Sequence, residues 1–282
     1  MSYANPRALV STQWVQEHLE DKDVRIAEVD YDPTSNYMLG HIPNAVLIDW
    51  RKDMNDPVSR DIVGPEALQE LLRRLGVNEG MTLVLYGDFN NWFAAFAYWV
   101  LKYYGFEDVR LMNGGRKKWL LEERPLSKDM PTFPPGNWSF KGRVDRALRV
   151  FLPYVKEVIG HPDHVLVDVR SPKEYTGEIL APPEYPTEHA QRGGHIPSAI
   201  NVPWSLAVNE QDGTFKPVEE LRALYEGRGI TPDKEIVTYC RIGERASITF
   251  FVLRELLGYP RVKVYDGGWT EWGNGVRLPI EK

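Results

Sequence analysis

Ile236-Val237-Thr238-Tyr239-Cys240-Arg241-Ile242-Gly243-Glu244-Arg245-Ala246 holds the only cysteine of the chain and changes character twice within eleven residues. The β-branched, apolar run Ile236 to Thr238 reads as a short buried strand. A polar loop containing Gly243 then leads into the apolar-rich segment from Ala246 to Leu257, and Gly258 stands where a helix stop belongs. The order strand, loop, helix leaves backbone N–H groups of the loop and of the first helical turn without partners, and these converge on any anion the loop encloses. Cys240 is therefore a candidate nucleophile whose thiolate the loop is expected to stabilise, lowering its pKa.

Working outward from this stretch, most of the chain is present twice. Leu83-Val84-Leu85-Tyr86 matches Ile236-Val237-Thr238-Tyr239 at an offset of 153, which then holds through Gly105 and Gly258 to Gly114-Gly115 and Gly267-Gly268. Upstream, Gly40-His41-Ile42-Pro43-Asn44-Ala45 recurs as Gly194-His195-Ile196-Pro197-Ser198-Ala199. Each copy reads as strands alternating with helices. In one copy Val24 to Val29, Ala45 to Ile48 and Val109 to Met112 are the flanking strands; in the other they are Val165 to Val169, Ala199 to Val202 and Val262 to Tyr265. Such alternation predicts an α/β fold, with a mostly parallel sheet and helices on both faces in each copy. Sites in such sheets gather at the carboxyl ends of strands, where Cys240 lies.

The bounds predicted are one domain over 1–124, a Pro-rich linker over 125–145 and a second domain over 146–282. The linker carries Pro125, Pro131, Pro134 and Pro135, which make it a stiff strap. At the position of Cys240 the first copy has Gly87, so it is expected to be catalytically inactive and to supply packing and a wall of the cleft.

With 282 residues, 43% of them hydrophobic, the chain has material for two cores. A net charge of −6 gives no reason to expect a nucleic-acid partner. The apolar run Trp92 to Val100 is too short to cross a membrane, the amino terminus shows no signal-peptide pattern, and one cysteine cannot form an internal disulfide. A cytoplasmic location, with no membrane association, is the expectation.

A cysteine on such a loop suits either phosphoryl transfer or sulfur transfer. The phosphatase signature needs five residues between cysteine and arginine; here four separate Cys240 from Arg245, and the smaller loop suits a single terminal sulfur.

These residues together give the chain a resemblance to the two-domain rhodaneses, the thiosulfate sulfurtransferases, of the bacterial type. It rests on tandem copies with a cysteine only in the second, Gly-His-Ile-Pro in both, Asp168-Val169-Arg170 at a strand end, the loop from Cys240 to Ala246, and Asp266-Gly267-Gly268-Trp269. The resemblance implies two rhodanese-like domains and a double displacement: Cys240 takes the outer sulfur of thiosulfate as a persulfide, then gives it to cyanide or a thiol. It implies Arg241, Arg170 and Arg245 as partners of the anionic substrate, with Arg245 serving as ligand or brace. The N–H groups of Ile242, Gly243, Glu244 and Ala246 are expected around the sulfur. Glu244 itself is expected only to pair with an arginine. No metal or organic cofactor is implied. The chain departs from vertebrate thiosulfate-type enzymes in having Ile242 for a lysine and Glu174 for an arginine. Two alternatives therefore stand beside thiosulfate sulfurtransferase: a 3-mercaptopyruvate sulfurtransferase, and a sulfur-carrier or interaction module delivering persulfide to a partner protein.

Overall fold

The computed structural model describes residues 2–282, and the chain divides into two compact units. One comprises Arg7–Asp145 and Glu210–Phe215; the other comprises Arg146–Asn209 and Lys216–Lys282, with the amino-terminal end up to Pro6.

The first unit runs β1 (Leu9–Val10), α1 (Thr12–Glu17), β2 (Val24–Asp30), β3 (Val46–Asp49), α2 (Trp50–Asp53), α3 (Pro65–Arg74), β4 (Thr82–Gly87), α4 (Trp92–Tyr103), β5 (Val109–Met112) and α5 (Gly115–Leu121). Its five strands are all parallel, in the order β1-β5-β4-β2-β3. The central β4 buries Leu83, Val84, Leu85 and Tyr86, the unbroken apolar run that a strand covered on both faces requires. Helix α4 is apolar all round and buried from Trp92 to Leu101, so it lies inside its unit rather than on its surface. The proline-rich stretch is fastened to this unit. Ser127 and His41 exchange backbone hydrogen bonds, the Trp138 N–H donates to Val77 O, and the Trp138 ring stacks on Phe106 at 5.8 Å. Gly136 has to be glycine there, because a Cβ would come 2.0 Å from Val77 O. Glu210–Phe215, from the second half of the sequence, also belongs here: Asp212 pairs with Lys118 at 2.8 Å, and the Phe215 N–H donates to Asn113.

The second unit runs α6 (Leu152–Val158), β6 (His164–Asp168), α7 (Pro172–Tyr175), β7 (Ile200–Asn201), α8 (Val218–Glu226), β8 (Glu235–Tyr239), α9 (Glu244–Phe251), β9 (Val262–Val264) and α10 (Gly268–Asn274). Four parallel strands lie in the order β7-β6-β8-β9, and Arg149 bridges Val264 at the edge that β1 occupies in the first unit. Helix α9 widens into a π-helical turn over Val252–Leu256 and stops at Gly258 (φ +76°), where the sequence places the stop. The carbonyls of Glu255 and Leu256, unpaired as at any helix end, accept from Asn5 and Ala4.

Both units are thus α/β layers around a parallel sheet with helices on either face. The duplication extends to hydrogen bonds: Tyr86 Oη accepts from the Ile42 N–H, and Tyr239 Oη accepts from the Ile196 N–H. His41 stacks on Tyr37 and contacts its carbonyl, as His195 does with Tyr175. Repetition of this arrangement beside Gly87, where there is no thiol, gives both histidines a structural role. Among the described residues no helix is long and apolar enough to cross a membrane.

Candidate active site

Strand β8 ends at Tyr239 and Cys240 follows it, so the sheet delivers the thiol to the place the sequence predicts. The turn into α9 is made by Gly243, which adopts φ +99° and caps the helix. This geometry aims the Gly243 N–H at Cys240 Sγ (3.2 Å), and the Ala246 N–H is directed at the same sulfur. The loop is held from the other side by the start of α10: Trp269 N–H donates to Cys240 O (2.8 Å) and Thr270 N–H to Arg241 O (3.1 Å). A Cβ on Gly268 would come 2.4 Å from Arg241 O, which accounts for a glycine in the Gly267-Gly268-Trp269 motif.

Two of the predicted N–H groups therefore meet the sulfur. Glu244 reaches it differently, with its carboxylate: Cys240 Sγ donates to Glu244 Oε2 at 3.1 Å. Ile242 is buried and contributes apolar lining. This overturns the expectation of a lowered thiol pKa. Burial and the adjacent Glu244 carboxylate push Cys240 up to about 12, against the opposing pull of Arg245 and the Ala246 amide. Cys240 is 0% exposed, and its resting form is the thiol.

The three predicted arginines are all buried beside this loop or the end of β6, but they are not equivalent. Arg170 is engaged by Asp168, with Nη2 2.6 Å from Oδ2, and donates at 2.7 Å to Gly194 O, with the Trp269 ring 4.7 Å away. Arg245 makes a two-pronged pair with Glu174 at 2.8 and 3.0 Å, which ties the start of α9 to α7. Burial opposes its charge, yet Glu174 and Glu244 hold its pKa above the usual arginine range. Arg241 alone among the three makes no close carboxylate contact. Its Nη1 donates to Thr187 O, its guanidinium lies 4.5 Å over the Tyr185 ring, Glu174 stands off at 4.0 Å, and Nε and Nη2 have no hydrogen-bond partner. Burial lowers its pKa.

Sequence reasoning missed Glu174, noting it only as a lost arginine. Ser171-Pro172-Lys173-Glu174 forms a capping box: Ser171 Oγ accepts from the Glu174 N–H and the Glu174 carboxylate accepts from the Ser171 N–H. The serine three residues ahead of the glutamate was a legible signal for that cap. Burial alone would raise the Glu174 pKa, but Arg245 and then Arg170 outweigh it and hold the group at about 2.

In the first unit the matching position admits no side chain at all, since a Cβ on Gly87 would come 2.2 Å from Val29 O. The loop beyond it winds through three left-handed residues, Phe89, Asn90 and Asn91, and Gly87 N–H donates to Asn91 Oδ1. Around it lie Glu28, paired with Arg116, and Asp88, both pushed up to about 8, chiefly by burial. It has neither the thiol nor the arginines of the second unit. Among the described residues, no group of three or more His, Cys, Asp or Glu is placed to hold a metal.

The family described as Rhodanese-like domain matches the chain twice, over residues 11–122 and 152–274. The Sulfur carrier protein TtuD of Thermus thermophilus is 56% identical, covering 100% of this chain and 99% of that protein. A protein of Saccharopolyspora erythraea provisionally named a thiosulfate sulfurtransferase is 51% identical over 97% of this chain and 95% of its own length. Among solved structures, the anaerobic ergothioneine biosynthesis enzyme from Chlorobium limicola, in complex with trimethyl histidine, has a TM-score of 0.84 at 29% identity, over 99% of this chain and 71% of that one. A structure of EanB with a cysteine persulfide and ergothioneine has a TM-score of 0.86 at 28% identity, over the same shares.

Proposed function

The chain belongs to the rhodanese family, and from that premise we propose that it carries sulfur from thiosulfate, as a persulfide on Cys240, to a partner protein. The chain is a rhodanese-fold, sulfur-handling protein that works through a cysteine persulfide, and Cys240 is its only cysteine. The finer reading rests on one arrangement. Cys240 Sγ receives the Gly243 N–H at 3.2 Å while the next residue, Arg241, keeps Nε and Nη2 without hydrogen-bond partners.

Arg241 supplies the positive charge for the sulfonate end of thiosulfate, which leaves the outer sulfur to face Sγ. Attack of the Cys240 sulfur on that atom forms the new S–S bond, and sulfite leaves with the electrons of the old one. The persulfide places its terminal sulfur about 2 Å beyond Sγ. The N–H groups of Gly243 and Ala246 are fixed in place before the reaction and stabilise the sulfur's negative charge without reorganising. Arg245 and Glu174 hold the loop in shape; Arg170, tied to Asp168, fixes the neighbouring strand end and leaves Nη1 as a second cationic N–H donor.

One observation supports a carrier over a turnover enzyme for small thiols: the relative at 56% identity is named a sulfur carrier. The experiment is intact-protein mass measurement after exposure to thiosulfate or to mercaptopyruvate, followed by gel filtration. Thiosulfate should add one sulfur atom, the adduct should survive passage through the column and excess small thiol, cyanide should remove it, and Cys240→Ala should abolish it. No gain from thiosulfate overturns the reading; rapid loss to small thiols overturns the carrier role.

A further inference from the structure

We propose that Glu244 is the proton acceptor of the sulfur transfer, taking the Cys240 proton as thiosulfate is attacked and returning it when the sulfur departs. The inference rests on the persulfide reading above and adds to it the residue that makes a buried, protonated thiol reactive.

The site buries three arginines, Arg170, Arg241 and Arg245, and three carboxylates, Asp168, Glu174 and Glu244. Asp168 takes Arg170 and Glu174 takes Arg245, both in contacts of 3.0 Å or less. Arg241 stands 4.0 Å from Glu174, and Glu244 has only a looser ion pair with Arg245 at 3.5 Å; each keeps side-chain atoms without a hydrogen-bond partner: Nε and Nη2 on the arginine, Oε1 on the glutamate. If Glu244 served only to brace Arg245, it would hydrogen-bond to it. Instead Oε1 stands 3.5 Å from Arg245 Nε while Oε2 is 3.1 Å from Cys240 Sγ. Glu244 is also placed by the chain for this contact, since its position four residues after Cys240 in the first turn of α9 brings the two side chains together.

Moving the proton between these two groups keeps the charge of the pocket constant. Before transfer the pair is thiol and carboxylate; after it, persulfide anion and carboxylic acid; each state carries one negative charge. Without an internal acceptor, the proton would have to cross to solvent from a fully buried sulfur, or a persulfide anion would form beside a carboxylate as a fourth buried anion against three cations, which is costly. In the first half-reaction the Cys240 S–H bond breaks to Glu244, the sulfur to outer-sulfur bond forms, and sulfite leaves as its dianion. In the second, cyanide takes the terminal sulfur as thiocyanate, the electrons of the S–S bond return to Cys240, and Glu244 gives the proton back. Atoms and charge balance in both. The pushed-up thiol pKa is consistent with this, because the same carboxylate that disfavours a free thiolate accepts its proton.

Glu244 contacts Cys240 and Arg245, and the charge of Arg241 acts on it; behind these stand Glu174 from α7, paired with Arg245 and 4.0 Å from Arg241, Tyr185 against Arg241, and Arg170, whose charge acts on Glu174 and which Asp168 holds at the end of β6. The test is the single-turnover rate of sulfur gain from thiosulfate, read by mass, between about pH 6 and 9. Wild type should show a nearly level profile, because the proton stays in the pocket. Glu244→Gln, isosteric but unable to accept the proton, should be slower by about 10²- to 10³-fold at neutral pH, with a rate that rises about tenfold per pH unit. Glu244→Asp should be intermediate in rate with a level profile. Equal or faster sulfur gain in Glu244→Gln overturns the inference, and so does a wild-type rate that itself rises tenfold per unit, a measurement that does not depend on the variants folding. Wild type that takes no sulfur removes the proposed function and this inference together; wild type that takes it at a rate Glu244→Gln matches removes only the role of Glu244.

Discussion

Replacing Glu174 by glutamine should cost the second unit about 3 kcal/mol at neutral pH. The Arg245 guanidinium is 2% exposed, so when Glu174 loses its charge a buried cation keeps its burial penalty and loses its main partner. Breaking a buried pair from one side costs about 3–5 kcal/mol. The pKa leads to a similar figure. A carboxyl near 4.5 held at about 2 corresponds to roughly 2.5 pH units, and at about 1.4 kcal/mol per unit to roughly 3.4 kcal/mol. Because the folded-state pKa is the lower one, this stabilisation is fully present above the unfolded value and is lost as the pH falls from about 4.5 to about 2. The assay is urea-dependent hydrogen exchange read by mass on peptides from α7, β8 and α9, which follows the second unit without assuming that the whole chain unfolds in one step. The gap between wild type and Glu174→Gln should be about 3 kcal/mol at pH 7 and close toward pH 2. A gap below about 1 kcal/mol at pH 7, or one that does not change with acid, refutes the assignment of Glu174 as the partner that makes Arg245 tolerable.

Arg241→Met keeps bulk against Tyr185 but removes the charge, so the thiosulfate concentration needed for half-maximal sulfur gain should rise about 10- to 100-fold, from the loss of a charge-assisted contact; an unchanged requirement would assign the sulfonate to another group. The ultraviolet difference between wild type and Cys240→Ser should show no thiolate band up to about pH 10, since burial and Glu244 push the thiol to about 12; a band complete by pH 8 contradicts the resting thiol. Gly87→Cys should not create a second persulfide site but should destabilise the first unit by at least about 2 kcal/mol, because the new Cβ meets Val29 O at 2.2 Å; a stable variant gaining two sulfurs from thiosulfate would show that the loop can yield.

The repeated architecture was readable because its signals are local. Apolar runs such as Leu83 to Tyr86 and the glycine at 258 act within a few residues, and the offset of 153 carries one set of signals onto the other. The strands matching Cys240 and Gly87 were found for this reason. The association of Glu210–Phe215 with the first unit was not, because nothing in its composition marks the pairing of Asp212 with Lys118, 94 residues away.

The same division holds at the site. The amino-acid sequence determined that one thiol stands on a short loop between a strand and a helix, with one residue fewer between Cys240 and Arg245 than the phosphatase signature has; the family resemblance added the expectation of three arginines near it. Tertiary structure decided which arginines are tied to carboxylates and which surroundings push the thiol pKa up. Arg245 finds Glu174 across 71 positions of chain, and Arg170, paired locally with Asp168, also reaches Gly194 O 24 positions away. Charge pairing and proton affinity depend on what surrounds a group once water is excluded, and that environment is assembled from distant segments whose arrangement no local pattern encodes.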